Sequence, residues 1–294
     1  MLNMKYIKSY RANNIDGLEE SGIREKEFIF QETSFELANQ PIEEITYLSD
    51  GSIEHIYKYK YDERGNVVDE ILEEGDGEVT EHRSMEYDKD GKIVKEYVHY
   101  LDGSADQLIF TYDGEGRLVG KKNIDSEGES GNYFEITFNG KLLGSETEYD
   151  SERQILTQQE LSYDEEGRLI EEFHLTQDGS YTFVMDYDEN GSLSVRRRYD
   201  AEGHLLERST YNYNADGRLA EAMEETGNGI EITVITYDEA GNMLLQEEKT
   251  QEGELRSHIE RTYNEQIQLL TTSVVIQRPG QQVPQNYRIR FEYE

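Results

Sequence analysis

A tyrosine, an aspartate, two polar residues, a glycine, a variable position and an aliphatic residue recur in that order along most of this chain. Strong copies are Tyr61-Asp62…Gly65…Val67, Tyr87-Asp88…Gly91…Ile93 and Tyr112-Asp113…Gly116…Leu118. Others are Tyr163-Asp164…Gly167…Leu169, Tyr187-Asp188…Gly191…Leu193, Tyr199-Asp200…Gly203…Leu205 and Tyr237-Asp238…Gly241…Met243. Asn replaces Asp in Tyr213-Asn214…Gly217…Leu219, and worn copies start at Tyr149 and Tyr263, where Arg153 and Ile267 stand in the glycine position. Phe138-Asn139-Gly140 is a shortened version. Copies starting at 61, 87, 112, 138, 163, 187, 213, 237 and 263 are 24 to 26 residues apart. Between most of them lies a weaker turn: Asp102-Gly103, Asp125 to Gly128, Asp178-Gly179, Gly227-Asn228-Gly229 and Glu252-Gly253. Chain reversals therefore come about every 12 or 13 residues, which leaves strands of about eight residues, near 26 Å long.

Each position in the unit has a physical role. An Asp at the start of the turn accepts a hydrogen bond from the backbone N–H two residues on, which pre-forms a type I turn. Gly supplies the left-handed conformation that closes such a hairpin with a bulge. Tyr and the aliphatic residue, six positions apart, then fall opposite each other as a cross-strand pair on one face. These tyrosines (Tyr61, Tyr87, Tyr112, Tyr163, Tyr187, Tyr213 and Tyr237) are expected to serve structure before contact.

Alternation supports strands. Leu108, Phe110 and Tyr112 alternate with other residues, as do Phe134, Ile136 and Phe138, then Tyr181, Phe183, Met185 and Tyr187, and finally Ile289, Phe291 and Tyr293. A period of two predicts one buried face, with Glu and Lys on the other. Proline is confined to Pro41, Pro279 and Pro284, outside the repeats. The expected fold is all-β: an extended antiparallel β-meander of tandem Tyr-Asp hairpins across residues 45–270. Less regular segments at 1–44, with irregular strands, and at 271–294 are expected to cap it. Some 18 strands cannot stay flat, so the sheet should twist or coil and present a concave, aromatic-lined face.

Charge narrows the partners. Lys and Arg total 29 against 64 Asp and Glu, a net charge of −35. So acidic a surface repels nucleic acid and anionic lipid and attracts basic proteins. It also keeps exposed strand edges soluble. The 22 Tyr and 9 Phe argue that the chain folds, because disordered chains are poor in aromatics. There is no Cys, hence no disulfide or thiolate metal site. Met1 to Arg11 has Lys5 and Lys8 but no apolar stretch of signal-peptide length, and no long apolar run occurs elsewhere. A cytoplasmic location and no membrane association are the expectation.

The repeat resembles the Rhs or YD-repeat family, whose motif reads Tyr-Asp-x-x-Gly-Arg-Leu. The copies through Gly116-Arg117-Leu118, Gly167-Arg168-Leu169 and Gly217-Arg218-Leu219 match it most fully, and the resemblance covers about residues 45–270. In large members these repeats coil into a shell around a toxin domain. This chain is too short for such a shell and lacks the proline-rich core motif and toxin module. The resemblance therefore implies a β-sheet spiral or open sheet, without a toxin. The short, Gly-rich repeats of MORN-like antitoxins are a more distant likeness.

No catalytic pattern stands out. The histidines (His55, His82, His99, His174, His204 and His258) show no HExxH spacing. Gly128-Glu129-Ser130-Gly131 lacks the glycine offset of a nucleophile elbow. Aligning Gly91 with the sixth position of a calcium loop puts Glu86 first and Tyr97 last, so the bidentate Glu is missing. Carboxylate pairs such as Glu73-Glu74 and Glu224-Glu225 are expected by chance in so acidic a chain. No catalytic, cofactor-binding or metal-binding residue is predicted, and no cofactor.

The expectation is a non-enzymatic, intracellular protein-binding module, most concretely an immunity or antitoxin protein that neutralises a basic cognate toxin. Its contacts would use exposed acids and aromatics. The alternative is a structural or surface repeat with carbohydrate affinity.

Overall fold

A computed structural model describes residues 6–13, 27–37, 40–281 and 284–294. Lys5, noted above, lies outside the described residues. The described residues hold 22 strands and no helix. In chain order the first are β1 (Tyr6–Asn13), β2 (Phe28–Leu37), β3 (Gln40–Tyr47), β4 (Ile53–Tyr61), β5 (Val67–Glu74), β6 (Val79–Tyr87) and β7 (Ile93–His99). Next come β8 (Ala105–Tyr112), β9 (Leu118–Ile124), β10 (Ser130–Asn139), β11 (Leu142–Tyr149), β12 (Ile155–Tyr163), β13 (Leu169–Thr176) and β14 (Gly179–Tyr187). The last are β15 (Leu193–Asp200), β16 (Leu205–Tyr213), β17 (Leu219–Thr226), β18 (Gly229–Tyr237), β19 (Met243–Thr250), β20 (Leu255–Tyr263), β21 (Leu269–Ile276) and β22 (Gln285–Tyr293). The protein is an all-β antiparallel meander. It has more strands than the repeat spacing predicts because residues on both sides of the repeats are also strands.

The chain forms two compact units: unit 1 of Met1–Tyr59, Ile71–Thr80 and Tyr211–Glu294, and unit 2 of Lys60–Glu70 and Glu81–Thr210. In unit 1 the first strand joins the last. β1 pairs with β22 from Ile7↔Tyr293 to Asn13↔Tyr287, and with β2 on its other side. Arg11 spans this junction, its guanidinium 4.3 Å from the Tyr287 ring centre and 5.4 Å from that of Phe30. Both edges of β1 are thus hydrogen-bonded, which removes an exposed edge that invites association. Glu32 on β2 ties three strands together, accepting a 2.6 Å bond from the Tyr47 hydroxyl and pairing with Lys8. Burial acts to raise the Glu32 pKa, but hydrogen bonds from Lys8, Tyr47 and Tyr6 outweigh it and hold it below the usual carboxylate value. Burial and the bond to Glu32 push the Tyr47 hydroxyl up to about 12.

The turns have the expected chemistry, with one bond more. In the hairpin β8–β9 the Gly116 N–H donates to the Asp113 carbonyl at 3.0 Å, and the Asp113 N–H donates to the Arg117 carbonyl at 2.9 Å. Asp113 Oδ1 accepts from the N–H of Glu115, two residues on, and also from that of Arg117, each at 2.9 Å. Donation by the Arg117 backbone outweighs desolvation and holds the Asp113 carboxyl below its ordinary value. Gly116 sits at φ +80°, a conformation an L side chain resists. In the worn copies Arg153 and Ile267 occupy the same left-handed region at φ 68° and 64°. Tyr faces its aliphatic partner in Tyr87↔Ile93, Tyr112↔Leu118, Tyr187↔Leu193 and Tyr237↔Met243.

The repeat also explains how hairpins hold one another. The Tyr hydroxyl of one copy donates to the carbonyl of the aliphatic residue in the copy before it. Tyr87 reaches Val67 at 2.7 Å, Tyr112 reaches Ile93 at 2.8 Å, Tyr187 reaches Leu169 at 2.7 Å and Tyr237 reaches Leu219 at 2.8 Å. The Arg of the earlier copy lies over the aromatic ring of the later one: Arg117 over Phe138 at 4.3 Å, Arg168 over Tyr187 at 5.0 Å, Arg218 over Tyr237 at 5.8 Å. The motif thus encodes a turn and a link to the neighbouring turn.

The expectation of one buried apolar face and one charged face needs correction. Among the described residues the buried apolar side chains are Ala12, Ile136, Met185 and Val274, and no large side chain is fully buried. Directly paired residues share a face. Lys121 pairs with both Phe110 and Phe134, and Glu172 and Arg198 both pair with Phe183. Charged groups therefore stand among the aromatics. With so shallow a core, lateral hydrogen bonds and ring contacts between strands carry much of the cohesion.

Candidate functional site

The histidines are the first candidates for chemistry. His82 on β6 and His99 on β7, in one hairpin, stack with ring centres 4.3 Å apart. Ser84 Oγ lies 2.7 Å from His99 Nε2, whereas Asp69 Oδ1 is 3.4 Å from His82 Nε2. Those last two atoms are buried and make no hydrogen bond, so the 3.4 Å approach is an ion-pair distance without hydrogen-bond alignment. The Ser–His and His–Asp contacts run through different imidazoles, and no relay connects Ser84 to Asp69. Sequence spacing missed this pairing because it depends on strand register.

His174 bonds Glu172 at 2.8 Å on the same strand. His258 sits between Glu247 at 2.9 Å and Glu260 at 3.1 Å. Desolvation acts to lower the His258 pKa, but these two carboxylates outweigh it and raise the value. Among the described residues one grouping has ligand atoms close enough for a metal, all within 4.8 Å: Asp200, Glu202 and His204. Asp200 Oδ1 already accepts the backbone N–H groups of Glu202 and His204, at 3.0 and 2.7 Å, and its Oδ2 lies 3.0 Å from His204 Nδ1. His204 fills the position that Arg117 holds against Asp113, where Nε donates to Oδ2 at 2.8 Å. The trio is a version of the repeated turn. Asp88, considered above for calcium, likewise accepts the N–H groups of Asp90 and Lys92 at 2.8 and 2.9 Å.

A concavity rich in acids lies on unit 1, at the weaker turns. An open cavity of about 750 Å³ lies between the turns β17–β18 and β19–β20. Glu224, Glu225, Glu231, Glu252 and Glu254 line it with one cation, Arg256. Arg256 Nη1 is 3.4 Å from Glu254, and its Nε is 3.6 Å from Glu231, close enough to attract but too far to hydrogen-bond. A second cavity of about 480 Å³ adjoins it, sharing Glu254 and Arg256 and reaching Pro279 and Pro284. The hairpins build this site simply: Gly229 (φ 132°) and Gly253 (φ 88°) reverse the chain and set the glutamates at the rim. The Glu224-Glu225 pair, read from sequence as a chance pair, is part of it. Such a pocket suits a guanidinium or ammonium group presented by a partner.

A family profile described as "Uncharacterised protein" matches residues 182–294. No curated protein matches. Among solved structures, a Photorhabdus luminescens Tc holotoxin pore matches with a TM-score of 0.39 and 11% identity over 91% of this chain and 18% of that one. TcdB2-TccC3 without its hypervariable C-terminal region matches with a TM-score of 0.44 and 12% identity over 96% and 18%. A porin-like protein from Bacteroides uniformis matches with a TM-score of 0.38 and 10% identity over 68% and 96%. The chain spans less than a fifth of the toxin chains it matches, at 18%. Among the described residues no helix is long and apolar enough to cross a membrane.

Proposed function

We propose that this chain is a non-enzymatic protein-binding module of the immunity or antitoxin type, built from YD repeats and acting in the cytoplasm on a basic cognate toxin. The observation that carries this reading is the unit 1 rim cavity, where five glutamates surround a single arginine. Against a net charge of −35, such a pocket combines long-range attraction for a basic protein with a local receptor for one of its cations. The motif residues are committed to turns and hairpin links, and the rim glutamates stand outside the motif.

The test begins with a pull-down from the native host, followed by kinetics with the basic protein recovered. Association should slow steeply as salt rises. E231Q/E252Q/E254Q should slow it at least tenfold with an unchanged melting temperature. Salt-insensitive association, or a triple variant that binds like the parent, would overturn the reading. Capture of no protein, with binding on a glycan array instead, would favour a surface repeat with carbohydrate affinity.

A further inference from the structure

Unit 2 carries a different arrangement, a pair of arginines with no ion-paired acid. Strand β15 contains Arg196-Arg197-Arg198. Arg197 faces Val184 and is paired with Asp186 at 2.6 Å. Arg196 and Arg198 point to the other face, opposite Met185 and Phe183. Among the described residues neither has a carboxylate partner, although acids outnumber bases 64 to 29. The nearby acid Glu172 is occupied by Gln159 at 2.6 Å and His174 at 2.8 Å. Glu207 lies opposite Arg198 in register without forming an ion pair with it.

Aromatic rings hold both guanidinium groups. Arg196 Cζ is 3.4 Å from the Phe183 ring centre, and Arg198 Cζ is 4.4 Å from that of Tyr181. Tyr181 is backed by His174, nearly parallel at 4.7 Å and 15°, and meets Phe183 edge to face at 5.5 Å. Stacking uses the flat side of a guanidinium and leaves its N–H donors, which lie in the plane, available. Arg198 Nε is buried and without a hydrogen-bond partner. Two residues apart on one strand face, the two groups start about 7 Å apart at the backbone. Their mutual repulsion falls when a doubly charged group lies between them.

We propose that Arg196 and Arg198, held by Phe183 and Tyr181, form a binding site for a dianionic oxyanion, a phosphate ester or a dicarboxylate. The site is independent of the unit 1 cavity and takes a ligand of opposite charge. Calorimetric titration of the full chain tests it, with inorganic phosphate and succinate as separate probes and acetate as the singly charged control. Phosphate or succinate should saturate, and acetate should bind at least tenfold more weakly. The tighter of the two dianions identifies the source of the oxyanion. R196Q/R198Q should weaken binding at least tenfold, while R197Q leaves it unchanged. Should the double variant misfold by circular dichroism, R198K, which keeps the charge but loses the planar fork, should weaken binding at least threefold. Absence of saturable binding by both dianions, or an equal loss in R197Q, would overturn the proposal.

Discussion

Units 1 and 2 are made from the same hairpin yet offer opposite chemistry. Unit 1 collects five glutamates around Arg256 at a turn rim. Unit 2 sets Arg196 and Arg198 on a strand face where neither is ion-paired with an acid. The shared parts are the same in both: an Asp or Asn that caps the turn, a left-handed Gly, and a Tyr that links to the previous copy. The repeat supplies a frame, and the proposed recognition chemistry sits on positions outside that frame.

Matched substitutions in the two units test that reading, beginning with the turn glycines, where the effects are largest. G167V in unit 2 should lower stability by about 1–2 kcal/mol, because a β-branched residue resists the φ of +80° found there. G241V in unit 1 should cost more, since its Cβ would overlap the Arg218 guanidinium that packs over Tyr237. Denaturant melts that leave both unchanged would refute the shared turn. Removing the hydroxyl in Y187F and Y237F should cost roughly 1 kcal/mol each. Unequal losses would mean that the 2.7 Å and 2.8 Å links are not equivalent across the units.

I267G in unit 1 should stabilise by up to about 1 kcal/mol, relieving a β-branched residue at φ 64°. R153G in unit 2 should gain less, because it also gives up the 3.0 Å bond from Arg153 to the Tyr133 hydroxyl. The smallest effect is electrostatic and confined to unit 1. The His258 pKa is raised, so its stabilising contribution is complete below the unfolded value near 6.5 and is lost as pH rises through the folded value. Thermal melts at pH 6 and pH 8 should show a small loss at the higher pH in the parent. That loss should be absent in H258Q.

Much of the frame was legible in the sequence because its signals are local. Asp113, Gly116 and Leu118 specify their turn within a span where chain geometry leaves little freedom, and Arg153 and Ile267 marked the places where the pattern had worn. Depth of burial was not legible. Phe110, Phe134 and Phe183 alternate as a core face should, yet register sets Lys121, Glu172 and Arg198 among them. The Arg196-Arg197-Arg198 run was a visible signal, a basic triplet in an acidic chain. Its meaning depended on which two arginines share a side and which one finds Asp186. The glutamates at the unit 1 rim were hidden for a different reason: in a chain with 64 acids, no acidic pair is distinctive until turns far apart in sequence bring several together.

Sequence alone determined that this protein is an antiparallel succession of hairpins, because Asp and Gly act through bonds to residues two to four positions away. Only the tertiary structure decided that the first strand pairs with the last, that His82 stacks on His99, and where acids gather or arginines go unpaired. Those outcomes depend on strand register and on which strands meet, and side-chain type alone encodes neither.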